Sequence, residues 1–158
     1  MDKNTDLNAY YHEGAVTKRQ MNGLAYFHEK FADPDFELGH FPAMTLTRTG
    51  PKRPEFILSD IGYDFVAYCI NERLTDFRLM DDAEWNWGKM AVGGNMIANA
   101  TPFELISMIT YIFGNPTHWQ SRLVNAYQSG LLMQILARGA EWADPGKLDR
   151  PILDELAA

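Results

Sequence analysis

Four histidines, one cysteine and 21 carboxylates are the groups in this chain that could ligate a metal, attack a carbonyl or move a proton. Their spacing supports none of these. His12, His28, His40 and His118 are far apart, with no His-Glu-x-x-His and no Cys-x-x-Cys. Asp81, Asp82 and Glu84 offer hard oxygen ligands, but the spaced Asp/Asn residues and the glycine of a calcium loop are missing. They read as a solvated acidic turn. Cys69 shares a helical face with Ile61 and Phe65, where a thiol behaves as a small hydrophobe. Ser59-Asp60 and Ser129-Gly130 are not in a nucleophile-elbow pattern. Gly93-Gly94-Asn95 lacks the lysine and hydroxyl of a phosphate loop and reads as a turn. No catalytic constellation, metal site or cofactor is therefore expected, and the balance leans away from an enzyme.

Binding chemistry is better represented. Asp81, Asp82 and Glu84 are the densest charge in the chain, and they abut Trp85 and Trp87. Alternation in a strand would put both indoles on one face. Facing outward, rimmed by carboxylates, they would suit a protein partner with a basic surface. Facing inward they are core. A second possibility is nucleic acid. A helix over 17–32, a hairpin over 44–58 and a helix over 60–71 could form a winged-helix-like unit. Lys18, Arg19, Arg48, Lys52 and Arg53 would then contact phosphates.

Within that unit, residues 36–70 run through Gly50-Pro51-Lys52-Arg53-Pro54-Glu55-Phe56-Ile57-Leu58 and Gly62-Tyr63-Asp64-Phe65. This pattern is similar to the hairpin-then-helix segment of Rha-type phage regulatory proteins. The similarity covers under a quarter of the chain.

The elements that must carry these residues are marked by their punctuation. Thr101-Pro102-Phe103-Glu104 is a capping box with proline at the first helical position. It opens a helix that runs from Leu105 to Phe113 and stops at Gly114-Asn115-Pro116. Thr117-His118-Trp119-Gln120 reads as a second box, opening a longer helix with Trp119, Leu123, Ala126/Tyr127, Gly130/Leu131 and Ile135 on one face and closing at Arg138-Gly139. Together they predict a helical hairpin over 101–139. Residues 90–121 carry a single charge, Glu104, which places the 102–113 helix at the centre of the core.

Earlier in the chain, Thr17-Lys18-Arg19-Gln20 predicts a helix start. Met21, Leu24, Ala25, His28, Phe31 and Ala32 lie on one side of that helix, and Asp33-Pro34 ends it. Met44 to Thr49 alternates as a strand, 50–54 reads as a turn with a basic tip, and Glu55 to Leu58 is the return. Ser59 or Asp60 caps the next helix, whose apolar stripe is Ile61, Phe65 and Cys69, with Val66 and Ile70 beside it. Thr75 to Met80 suggests a short strand, and Trp85 to Val92 another. The order is that of an α+β domain, single over 1–158, with 1–16 and 140–158 peripheral and the C-terminal antiparallel helical hairpin packed on short β-hairpins.

Bulk properties narrow the function classes. The net charge is −7, spread as 8 basic and 11 acidic residues over 1–73 and 6 and 10 over 74–158. Such a chain repels nucleic acid unless a local patch overrides its field. Aromatic residues reach 13%, more than a core of this size calls for, which hints at a contact surface. One cysteine permits no internal disulfide. The most apolar run is the stretch 105–113, far short of the roughly 20 residues that span a bilayer. A cytoplasmic location away from membranes is expected. The expected function is a non-catalytic, protein-binding or inhibitory accessory protein of phage or plasmid type, directed at a host defence protein. The alternative is a winged-helix-like DNA-binding regulator.

Overall fold

A computed structural model describes residues 15–41, 45–47, 50–52, 56–76, 79, 83, 87, 88 and 97–143. These are mostly helical with short antiparallel strand pairs, an α+β arrangement. The elements in chain order are α1 (Ala15–Phe31), β1 (Gly39–His40), β2 (Thr45–Thr47), β3 (Gly50–Lys52), β4 (Ile57–Leu58) and α2 (Asp60–Asn71). A 3-10 turn (Ile97–Asn99) then leads into α3 (Pro102–Phe113), α4 (Trp119–Gln128) and α5 (Leu131–Trp142).

The capping box at Thr101 is present in full. The Thr101 hydroxyl accepts from the Glu104 amide at 3.2 Å, and the Glu104 carboxylate accepts from the Thr101 amide at 3.2 Å. Two orphan donors at the helix start are thus satisfied reciprocally. The helix behind it is central, as its near-absence of charge predicts. Leu105, Ile106, Ser107, Met108, Ile109 and Thr110 are buried in succession, so no side of that stretch faces water. The two hydroxyls are accommodated inside the helix: Ser107 donates to the Glu104 carbonyl at 2.9 Å and Thr110 to the Ile106 carbonyl at 2.8 Å.

The segment after α3 departs from the expected hairpin. Thr117 is not a cap. The Asn115 side-chain oxygen instead accepts from the amides of Thr117 at 2.9 Å and His118 at 3.1 Å. That local turn fixes the chain just ahead of α4, and the Thr117 hydroxyl makes no capping bond to the helix start. The expected single long helix is two, because Gly130 sits at φ 83° between α4 and α5. A left-handed residue interrupts the i to i−4 ladder, and glycine adopts that conformation without a Cβ penalty. Nor does the chain stop at Gly139. α5 continues to Trp142, and Ala143 is buried.

The most extensive helix–helix contact joins α1 and α5, the first and last described helices. Gly139 allows it: a Cβ there would lie 2.6 Å from Leu24 Cβ and Cδ1. Both ends of the described chain therefore close on one core, which includes Met21, Leu24, Phe27, Phe65, Leu105, Ile109, Leu132 and Ile135. α1 begins no later than Ala15, so Thr17 lies within the helix and is buried, not capping its start. Ala32, expected inward, is exposed beyond the helix end.

The β segment also differs in register. β1 pairs with β4 (Gly39 with Leu58, His40 with Ile57), and β2 pairs with β3 (Thr45 with Lys52, Leu46 with Pro51, Thr47 with Gly50). Partner numbers add to the same total in both ladders, so the two share one antiparallel register. The return begins at Gly50, leaving only Arg48 and Thr49 between the strands, and Lys52 lies on a strand and not at the tip. Pro51 fits there because pairs alternate between exchanging and not exchanging hydrogen bonds, and a proline suits the second kind.

Two further strand expectations fail where the structure describes them. Leu79 lies in a 3-10 turn, and Thr75 and Asp76 lie in non-strand backbone. Trp87 and Gly88 are helical, and Ile97 to Asn99 form the 3-10 turn before α3.

Candidate contact surface

Of the acidic-aromatic residues, Asp81, Asp82, Glu84 and Trp85 lie outside the described residues. Trp87 does not stand alone on a strand face. Its half-buried indole stacks on Tyr111 of α3, with centroids 4.6 Å apart and planes 18° from parallel. The Arg122 guanidinium lies 4.0 Å from the centroid of the same tyrosine ring and donates to the Tyr111 carbonyl at 2.7 Å. Tyr111 is thus held between an indole and a cation, and this stacking outweighs the alternation that suggested a strand.

The basic residues proposed for phosphate contact are largely committed elsewhere or not described. Lys18 donates to the Trp142 carbonyl at 3.1 Å, a cation on the last turn of α5 where the helix dipole favours it. Arg19 pairs with Glu72 at 2.6 Å. Arg48 and Arg53 lie outside the described residues, and Lys52 stands opposite Thr45 in the β2–β3 ladder.

The remaining candidate chemistry stays apart. His28 is in α1, His40 in β1 and His118 at the start of α4, while His12 lies outside the described residues. Among the described residues no group of histidines, cysteines and carboxylates could hold a metal ion. Cys69 is fully buried, and burial holds its thiol protonated well above the ordinary range. Tyr68 is also pushed up, first by burial and then by the nearby Glu72 carboxylate. Its hydroxyl donates to the carbonyls of Arg19 at 3.0 Å and Gln20 at 3.3 Å. These contacts tie α2 to α1 and leave the phenol no free role.

What the sequence reasoning missed is on the outside of α2. Phe65, Tyr68 and Cys69 face the core, and Gly62 is buried with them. Ile70, expected in that stripe, is 58% exposed, and Tyr63 is 59% exposed. Residues 63, 66, 67 and 70 have the spacing of one helical face. Between the two exposed side chains lie Ala67, half-buried, and Val66, half-buried and packed in part against the core. The helix is therefore apolar on two sides, and one is turned to solvent. Asp60, exposed, and Asp64, half-buried, flank the outer face, and α2 contains no lysine or arginine.

The β ribbon that leads into α2 also carries exposed apolar side chains. Phe41 is 57% exposed and packs edge-on against Phe56 at 5.0 Å, and Ile57 is 43% exposed. All four exposed large apolar side chains among the described residues thus fall between 41 and 70. The signal was present in the sequence as Tyr63, Val66, Ala67 and Ile70 at i, i+3, i+4 and i+7. It was masked by the stronger stripe of Ile61, Phe65 and Cys69 on the other side.

α2 is firmly placed. Ser59 caps it by accepting from the Gly62 amide at 3.1 Å, and the Ser59 amide donates to the Leu38 carbonyl at 2.9 Å. At its far end Gln20 donates to the Glu72 carbonyl at 2.7 Å. A rigid helix presenting an apolar stripe can dock without a large ordering cost. None of the described helices is long and apolar enough to cross a membrane. Compared with known protein families, with curated proteins and with solved structures, the chain has no match.

Proposed function

We propose that this chain is a non-catalytic protein that works by occupying the surface of another protein, with the outer face of α2 and the adjoining ribbon as its docking surface. The observation that carries this reading is the concentration of exposed large apolar side chains, Phe41, Ile57, Tyr63 and Ile70, on one ribbon-and-helix unit. Exposed aromatic and aliphatic residues held on a rigid element are the usual anchors of an interface. Asp60 and Asp64 beside the stripe, and a net charge of −7, favour a partner whose apolar contact is rimmed by basic residues. The acidic segment Asp81, Asp82, Glu84 and Trp85 is a second contact with the same preference. A small, acidic, aromatic-rich chain of this kind suits the accessory proteins of phages and plasmids, including those directed at host defence proteins. A cytoplasmic setting goes with that reading.

The DNA-regulator alternative gains little support. Lys18 and Arg19 are engaged with protein groups, and α2 would present carboxylates to a phosphate backbone. Affinity capture with the tagged chain tests the two together. The wild type should retain a specific protein that Tyr63→Asp with Ile70→Asp loses, and should not shift duplex DNA at low or moderate salt. Salt-sensitive duplex binding, unaffected by the double substitution, would favour the regulator.

A further inference from the structure

We propose that in the free protein the outer face of α2 is covered by the same face of a second copy, the two helices antiparallel across a two-fold axis. The inference rests on the reading of this face as a contact surface and adds its resident occupant, which a target would have to displace.

The geometry is self-complementary. An axis passing between Val66 and Ala67 brings Tyr63 of one copy onto Ile70 of the other, and the reverse by symmetry. Ala67 at the crossing is small, which lets the two helices approach closely. The 63, 66/67, 70 spacing is that of a short helix–helix seam. Antiparallel alignment also opposes the helix dipoles favourably.

The same register pairs the charges. It places Asp60, just inside the start of α2, against Arg73, just past its end. Both are exposed, and among the described residues neither side chain has an ion-pair partner. Arg73 has a second unusual feature: it sits at φ 58°, one residue past the helix cap. Glycine is the residue that adopts this conformation at least cost. Here an arginine holds it, fixed by Gln20 donating to the carbonyls of Glu72 and Arg73 at 2.7 and 3.5 Å. An acid and a base at opposite ends of an apolar stripe, neither with an ion-pair partner among the described residues, meet their complements when the stripe pairs with itself in reverse.

One stripe of a 12-residue helix buries less than the about 800 Å² per partner of a standard interface, so the association is concentration-dependent. The net charge of −7 opposes it at low salt. At physiological ionic strength the Debye length is about 8 Å, which screens most of that repulsion.

Sedimentation velocity of the full chain over a concentration series, at physiological salt, tests the proposal. The wild type should rise in average mass from 18.0 kDa towards a dimer. Ile70→Asp should stay monomeric, with circular dichroism confirming that it is folded. Asp60→Arg alone and Arg73→Asp alone should each weaken the dimer by roughly tenfold, since each disrupts two symmetry-related pairs. The two reversals combined should restore it. A wild type that stays at the monomer mass, an Ile70→Asp chain that dimerises normally, or a double reversal that recovers nothing would each overturn it. A monomeric wild type that still captures a target would remove only this inference. A dimer that captures nothing would remove only the proposed function.

Discussion

The Tyr68 hydroxyl donates to the Arg19 carbonyl at 3.0 Å, and its ring reaches that carbonyl by lying directly across Gly23. A Cβ at position 23 would fall within the Tyr68 ring. Gly23→Ala gains about 1 kcal/mol of helix propensity, but overpacking costs about 1–3 kcal/mol. The clash is with a fully packed aromatic, so the substitution should lower stability in urea unfolding. Tyr68→Phe keeps the ring and loses only the hydrogen bonds, for a cost of about 1 kcal/mol. A Gly23→Ala chain more stable than wild type, as helix propensity alone would make it, would contradict this contact.

Gly139 and Leu24 form the matching close approach between α5 and α1. Gly139→Ala should destabilise by about 1–3 kcal/mol. Leu24→Ala should also destabilise, through the cavity it leaves, by about 2–5 kcal/mol. The double substitution should cost less than the sum, because Leu24→Ala removes the Cδ1 and Cγ atoms that a Cβ at 139 would meet and leaves only the contact with Cβ. Strict additivity in thermal or urea unfolding would mean that the two helices do not meet here.

Helix caps give a sharper contrast. Thr101→Ala should cost about 1 kcal/mol, because it removes one half of a working capping box. Thr117→Ala should cost almost nothing, and Asn115→Ala should carry the penalty at that helix start. Denaturation of the three single variants separates the structure from the sequence pattern.

That contrast shows where the sequence was legible. Local rules that depend on a few neighbouring residues held: the Thr101 box, the Ser59 cap and the apolar surround of α3. Rules that depend on which of several local options wins did not. Asn115, and not Thr117, supplies the side-chain oxygen that organises the turn before α4. Gly130 broke a periodic apolar face that continues through it on paper. The hairpin register followed a two-residue connection and not the Gly-Pro turn signal. The contact face was hidden for a related reason. α2 carries two apolar stripes, and period alone does not say which one is buried. Only the packing of Tyr68 on Gly23 and of Phe65 on Phe27, with ring centroids 5.3 Å apart, fixes that choice.

Alkaline pH should weaken the fold. Cys69 and Tyr68 both hold their protons more tightly when folded than when unfolded, chiefly because burial disfavours the charged form. The unfolded chain therefore binds fewer protons once pH passes the unfolded thiol value of about 8.5 and then the phenol value of about 10. The contribution of these two groups should be constant below that range and be lost as pH rises through it. In the native state at neutral pH, Cys69 should resist thiol reagents until denaturant is added. Rapid labelling of native protein would contradict its burial.

The proposed docking face is tested most directly by a photo-crosslinking aromatic residue placed at position 63 in cells that make the protein. A control chain carries it at Glu29, an exposed position on α1. Position 63 should yield a discrete adduct with a different protein, identified by mass spectrometry, and Ile70→Asp in the same chain should abolish it. Equal adducts from positions 63 and 29, or an adduct at 63 that survives Ile70→Asp, would contradict a docking role for the outer face of α2.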